Sequence, residues 1–141
     1  MRLPLSILLF FFAIGIANAQ NPSDALLGVW LNNEGSAKIE FYKTGNSYSG
    51  KIVWLAQPNG PDGKPFIDKK NPDPAKRKQK VLGMTILSGL KFSNDKFSEG
   101  TIYAPKHGQY ANCSLRLRNS RELKVTVTKG LLSETKIWIK Q

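Results

Sequence analysis

The stretch Ala37-Lys38-Ile39-Glu40-Phe41-Tyr42-Lys43-Thr44-Gly45-Asn46-Ser47-Tyr48-Ser49-Gly50-Lys51-Ile52-Val53-Trp54-Leu55 decides the fold. Ala37, Ile39 and Phe41 alternate with Lys38, Glu40 and Tyr42. Successive side chains of an extended chain point to opposite faces, so this alternation predicts a half-buried strand. Thr44-Gly45-Asn46-Ser47 has turn chemistry, and residues 48–55 return as the partner of a hairpin. The same cadence runs outward along the chain. Residues 82–91 and 96–104 are joined by Phe92-Ser93-Asn94-Asp95, and residues 110–118 follow a turn at 105–108. In residues 122–128, Leu123, Val125 and Val127 alternate with Lys124 and Thr126. Residues 133–140 place Thr135, Ile137 and Ile139 on one face, with Glu134, Lys136 and Lys140 opposite. A short first strand at 28–31 brings the count to eight. Only Pro22-Ser23-Asp24-Ala25-Leu26-Leu27 reads as helical, a single turn started by Asn21 or Ser23.

An open sheet of such hairpins would leave two unpaired edges, and closure removes both. Eight strands enclose an interior just wide enough to be filled by side chains or to hold one small ligand. The expectation is an all-β domain over residues 20–141, an eight-stranded antiparallel up-and-down barrel, with a β-sandwich as the alternative.

Residues 1–19 are set apart. Arg2 gives a positive start, residues 3–16 are almost wholly apolar, and Ala17-Asn18-Ala19 supplies small residues before a cleavage point at Gln20. This is the pattern of a removable export signal. The apolar run falls short of the roughly 20 residues of a membrane span, so no transmembrane anchor is expected. The mature protein is then periplasmic or extracellular. The 40% hydrophobic and 22% charged composition is that of a globular chain, not a disordered one. The single Cys and single His exclude a disulfide scaffold and a Cys/His zinc cluster. Cys113 shares the apolar parity of Ala111, Leu115 and Leu117, which reads as a buried, inert thiol.

The formal net charge is +11, or +10 without Arg2. Much of it sits in residues 56–80, a loop with Pro58, Pro61, Pro65, Pro72 and Pro74. There Lys64, Lys69, Lys70, Lys76, Arg77, Lys78 and Lys80 face only Asp62, Asp68 and Asp73. Loops this long in a compact domain are usually functional or disordered. In Asn71-Pro72-Asp73-Pro74 each Pro fixes its own φ and extends the residue before it. Asn71 and Asp73 can then bond nearby backbone N–H groups, so Asp68, Asn71 and Asp73 read as a stiff loop turn. A calcium site from Asp62, Asp68, Asn71 and Asp73 fits no EF-hand spacing and is opposed by the surrounding bases.

Gly28-Val29-Trp30 after a short helical turn resembles the Gly-x-Trp start of lipocalin-like barrels, in which the Trp closes the base. Five further segments resemble, in the right order, a secreted bacterial family, the domain-of-unknown-function family 2147. They are Tyr48-Ser49-Gly50-Lys51-Ile52-Val53-Trp54, Asp68-Lys69-Lys70-Asn71-Pro72-Asp73-Pro74 with Arg77, Leu82-Gly83-Met84-Thr85-Ile86-Leu87, Gly100-Thr101-Ile102-Tyr103-Ala104-Pro105, and Trp138. Ala104 replaces the family's usual Asp, and Phe97 stands where a Trp is common. The resemblance implies export and a lipocalin-like barrel, and it implies no established reaction.

The functional expectation is an exported, non-catalytic barrel binding a small, partly apolar ligand inside or at its mouth. Trp30, Tyr48, Ile52, Trp54 and Tyr103 are the candidate wall residues. The alternative is a basic module docking an anionic envelope polymer or lipid surface through Lys69, Lys70, Lys76, Arg77 and Lys78. There is no His-Glu-x-x-His, nucleophile elbow or Gly-rich phosphate loop, and His107 sits in a turn, so no catalytic residue is assigned. No cofactor, metal or nucleic-acid partner is expected, and the chain reads as a monomer.

Overall fold

The computed structural model describes Gly15 and residues 21–141, in which eight antiparallel strands close into one barrel in chain order. They are β1 (Gly28–Leu31), β2 (Ala37–Thr44), β3 (Ser47–Leu55), β4 (Thr85–Ser93), β5 (Lys96–Ala104), β6 (Gln109–Leu117), β7 (Glu122–Lys129) and β8 (Leu132–Lys140). The segment read as an export signal, residues 1–19, lies outside the described residues but for Gly15. Because strand direction alternates, the β1–β2, β3–β4, β5–β6 and β7–β8 connections gather at one end, the mouth. The other connections and the N-terminal 3-10 turn, Pro22–Leu26, gather at the base.

The base is plugged by the chain's own side chains. Asn21 caps the 3-10 turn, its side chain accepting from the Ser23 N–H at 3.2 Å. Leu26 is fully buried, Trp30 Nε1 donates to Leu26 O at 2.9 Å, and Tyr48 OH donates to Ser23 Oγ at 2.7 Å. Phe97 packs edge-on against Tyr48, ring centroids 5.3 Å apart, and Phe41 meets Trp138 at 6.3 Å. Inward glycines make room for these groups. A Cβ on Gly50 would stand 2.9 Å from Ile39 and 3.0 Å from Leu87. Toward the mouth the inward residues Ile102, Ala111 and Val127 are only half-buried.

Cross-strand register corrects three readings of side-chain direction. Lys38 pairs with Trp54, but Ile39 pairs with Ile52, so Val53 is an extra residue in β3. Such a bulge shifts the alternation. Ile52 points inward, Trp54 is turned outside, with Lys38 Nζ 5.0 Å above its ring, and Leu55 returns to pack on the core. Tyr103 also faces outward. Gly100 opposite Cys113 and Ile102 opposite Ala111 form the inner face, and Tyr103 opposite Tyr110 the outer one. In β8, Trp138 lies opposite the buried Leu123 and faces in, placing Ile137 and Ile139 outside. One large ring in the base outweighs two isoleucines, and the cost is an inward Lys136 and Glu134 toward the mouth, 3.7 Å apart.

Candidate functional site

Residues 56–84 form the longest connection and fold back on themselves at the mouth. Bridges Asn59↔Pro65 and Ile67↔Lys80 close two small loops within it. Asp68 N–H donates to Gln79 O at 2.8 Å, and Val81 N–H to Phe66 O at 3.0 Å. Asn71 Oδ1 accepts from the Asp73 N–H at 2.9 Å, and Asp73 Oδ1 accepts from the Ala75 N–H at 3.0 Å, capping the 3-10 turn Pro74–Lys76. Arg77 Nε donates to Asn71 O at 2.8 Å. Prolines at 72 and 74 remove two donors while the Asn and Asp side chains satisfy those that remain.

A buried carboxylate ties this loop to the outside of the barrel. Asp68 has no exposed surface; its Oδ1 accepts from Tyr103 OH at 2.6 Å and its Oδ2 from Asn71 Nδ2 at 2.7 Å. Burial, reinforced by the hydrogen bond to the Asp68 carboxylate, pushes the Tyr103 phenol far above its ordinary range, so it stays a donor. The loop therefore lies over the outer wall of β5, which is why Tyr103 is buried although it points away from the interior. Gly108, with φ +61, packs so closely on the Lys70 carbonyl that no Cβ fits, fixing Lys69 and Lys70 against the β5–β6 turn.

Two concavities result. At the mouth, a cavity of about 480 Å³ has apolar walls from Leu55, Phe66, Ile67 and Val81, with Lys69, Lys70 and Lys106 among its polar lining. On the flank, a shallower groove of about 560 Å³ runs between loop and outer wall, lined by Asp68, Asn71, Lys76, Lys80, Met84, Tyr103 and Tyr110. Tyr103 and Tyr110 lie there with ring centroids 4.6 Å apart.

The expected wall residues thus separate. Trp30, Tyr48 and Ile52 belong to the buried interior, Trp54 stands outside, and Tyr103 lies under the loop. Of the loop bases, Lys69 and Lys70 reach the mouth cavity, Lys76 the flank groove, Arg77 a backbone carbonyl, and Lys78 neither concavity. Leu55, Phe66, Ile67, Val81 and Lys106 were not singled out from sequence. The one available signal was Phe66-Ile67, an apolar pair inside an otherwise polar, Pro-rich loop. Among the described residues no three His, Cys, Asp or Glu side chains gather into a metal-sized group. Asp62 and Asp73 each turn one oxygen, Oδ1, to a loop N–H group. Cys113 is free and buried, and burial pushes its thiol up to about 12.

The family described as "Uncharacterized protein conserved in bacteria (DUF2147)" matches residues 28–140, from the first barrel strand to the last. The chain belongs to this family. No curated protein matches it. Among solved structures, this DUF2147 member is similar to protein HP1028 from the human pathogen Helicobacter pylori, which is described as belonging to the lipocalin family. Identity is 20%, the likeness covers 82% of each chain, and the TM-score is 0.72. At that identity the likeness shows a shared fold, an eight-stranded lipocalin-like barrel.

Proposed function

We propose that the protein is an exported, non-catalytic carrier that takes a small, partly apolar ligand at the barrel mouth. The observation that carries this reading is the asymmetry of the barrel, plugged at the base and concave at the mouth. The mouth cavity of about 480 Å³ combines apolar walls from Leu55, Phe66, Ile67 and Val81 with Glu34 and three lysines in its lining, and a few placed polar groups on apolar walls are the usual make-up of a small-molecule site. The lipocalin-family likeness of the fold is in keeping with it. The non-catalytic part rests on how the candidate reactive side chains are held. The Asp68 oxygens are engaged by Tyr103 and Asn71, and the Cys113 thiol is buried and protonated at neutral pH.

The test is titration of the chain from Gln20 onward with laurate, retinol and 1-anilinonaphthalene-8-sulfonate, followed by fluorescence. A saturable response that Ile67→Asp weakens at least tenfold is the expected result. Absence of saturation with all three probes overturns the reading. Export is checked by sequencing the N-terminus of protein recovered outside the cytoplasm, where Gln20 is the expected first residue.

A further inference from the structure

The β7–β8 turn ends in two uncovered leucines. Leu131 is 104% exposed and Leu132 78%, whereas the next most exposed large apolar side chain among the described residues, Tyr110, is 47% exposed. An isolated exposed leucine needs no explanation, but two adjacent ones on the tip of a tight hairpin form a narrow apolar wedge. The wedge stands at the mouth, the end where Phe66 and Ile67 are also partly exposed.

The connections at the two ends also differ in charge. The mouth connections, residues 32–36, 56–84, 105–108 and 130–131, hold eight Lys and Arg against four Asp and Glu. One of those four, Asp68, is buried and bonded to Tyr103 and Asn71. The base segments, residues 21–27, 45–46, 94–95 and 118–121, hold two bases against two acids. The excess positive charge of the connections thus belongs to those that leave from the end carrying the leucines, where Lys69, Lys70 and Lys106 line the mouth cavity.

We propose that the mouth end docks on an anionic lipid bilayer, with Leu131 and Leu132 entering the acyl boundary and the mouth lysines resting on the phosphate layer. Each half of the observation excludes a simpler partner. An anionic polymer would use the bases and leave the leucines without a role. A stable protein interface buries on the order of 800 Å² per partner, far more than a two-residue tip offers. A bilayer accepts a narrow apolar wedge flanked by cations, because apolar burial and attraction to anionic headgroups add at the same depth. This docking does not depend on a ligand in the mouth cavity.

The experiment is co-sedimentation of residues 20–141, which hold every element of the barrel, with vesicles of phosphatidylglycerol and phosphatidylcholine in equal parts. Binding is expected there, with at least tenfold weaker binding to pure phosphatidylcholine. Leu131→Ser with Leu132→Ser should lower the partition coefficient by about a hundredfold at unchanged circular dichroism, given the transfer energy of two leucines. A Leu131→Trp reporter should blue-shift on the anionic vesicles and be quenched by brominated acyl chains. Wild-type protein that stays in the supernatant overturns the proposal. So does binding that the double leucine variant leaves unchanged, which would assign the contact to charge alone.

Discussion

Gly28 shows how much of the base depends on one missing side chain. Its φ is +114, a region L-residues rarely enter, and it pairs with the inward Phe41. A Cβ there would lie 3.3 Å from the Lys140 side chain. That lysine crosses the base, its Nζ 4.8 Å over the Trp30 ring and donating to Leu27 O at 2.6 Å and Ala25 O at 3.2 Å. The Gly-x-Trp motif is thus a slot for a lysine from the last strand, something the tripeptide alone does not reveal. Gly28→Ala should cost about 1–3 kcal/mol in urea denaturation, through backbone strain and displacement of Lys140. An unchanged midpoint would remove that account. Cys113 gives a second residue-scale expectation. Its thiol ionises near 9.0 when unfolded and near 12 when folded, so above pH 9 the unfolded chain holds fewer protons. Stability contributed by this group is then complete below pH 9 and falls between about pH 9 and 12, by about 1.4 kcal/mol per pH unit. Comparison with Cys113→Ala cancels the lysine and tyrosine titrations, and parallel pH–stability curves for the two proteins would show that the thiol is not the cause. The burial of Cys113 was legible in sequence, because β6 alternates without interruption.

At the scale of elements, all eight strands were legible, β4 displaced from the expected 82–91 to Thr85–Ser93, but alternation could not follow the faces through irregularities. In β3 the extra residue Val53 moved Trp54 outside, although its position counted from Tyr48 and Ile52 predicts the interior. Trp54→Ala should therefore cost less than about 1 kcal/mol, while Trp138→Ala, which opens a void beside Phe41 and Leu123, should cost about 3–5 kcal/mol. Thermal or urea unfolding that ranks the two the other way would contradict the register. Alternation also says nothing about what covers an outer face, which is why Tyr103 reads from sequence as a wall residue of the ligand site and not as a side chain buried by the long loop. The inward Lys136 and Glu134 have a related cause. Pairing of β8 with β1 ends at Leu31↔Ile139, so the mouth half of β8 lacks a β1 partner, and inward charges blunt such an edge. For the loop itself, the Asp68–Tyr103 hydrogen bond is the side-chain tie to the outer wall, beside the backbone bonds of Gly83 and Met84 to Ile52. Tyr103→Phe leaves a buried carboxylate oxygen without its donor, a loss of about 1–3 kcal/mol. Limited trypsin digestion should then cut faster at Lys69, Lys70 or Arg77, while strand circular dichroism is retained. Digestion at the wild-type rate would show that the loop is held by other contacts.

The whole molecule is a barrel with unlike ends, and that difference was only half legible. The basic, Pro-rich connection marked the mouth, but the mouth cavity forms because Phe66, Ile67 and Val81 are brought beside Leu55 by bridges within the loop, which no periodicity encodes. The base depends on a segment that precedes the barrel strands altogether. Residues 21–27 supply the buried Leu26, the carbonyl that accepts from Trp30, the hydroxyl that accepts from Tyr48, and two carbonyls that accept from Lys140. A chain beginning at Gly28 keeps all eight strands and loses every one of these partners. Burial of one leucine is worth about 1.5–3 kcal/mol, and each buried hydrogen bond about 0.5–1.5 kcal/mol. The truncation should therefore lower stability by about 3–6 kcal/mol, a large part of the 5–15 kcal/mol typical of a domain. Relative to the chain from Gln20, the strand signal in circular dichroism should persist at low temperature while the urea midpoint drops. Trp30, no longer covered by Leu26, should become accessible to acrylamide quenching. A truncated protein with an unchanged midpoint and a quenching profile like the longer chain would mean that the strands close the base by themselves. The 3-10 turn would then be an appendage, and the plugged base would have to be credited to Phe41, Phe97 and Trp138 alone.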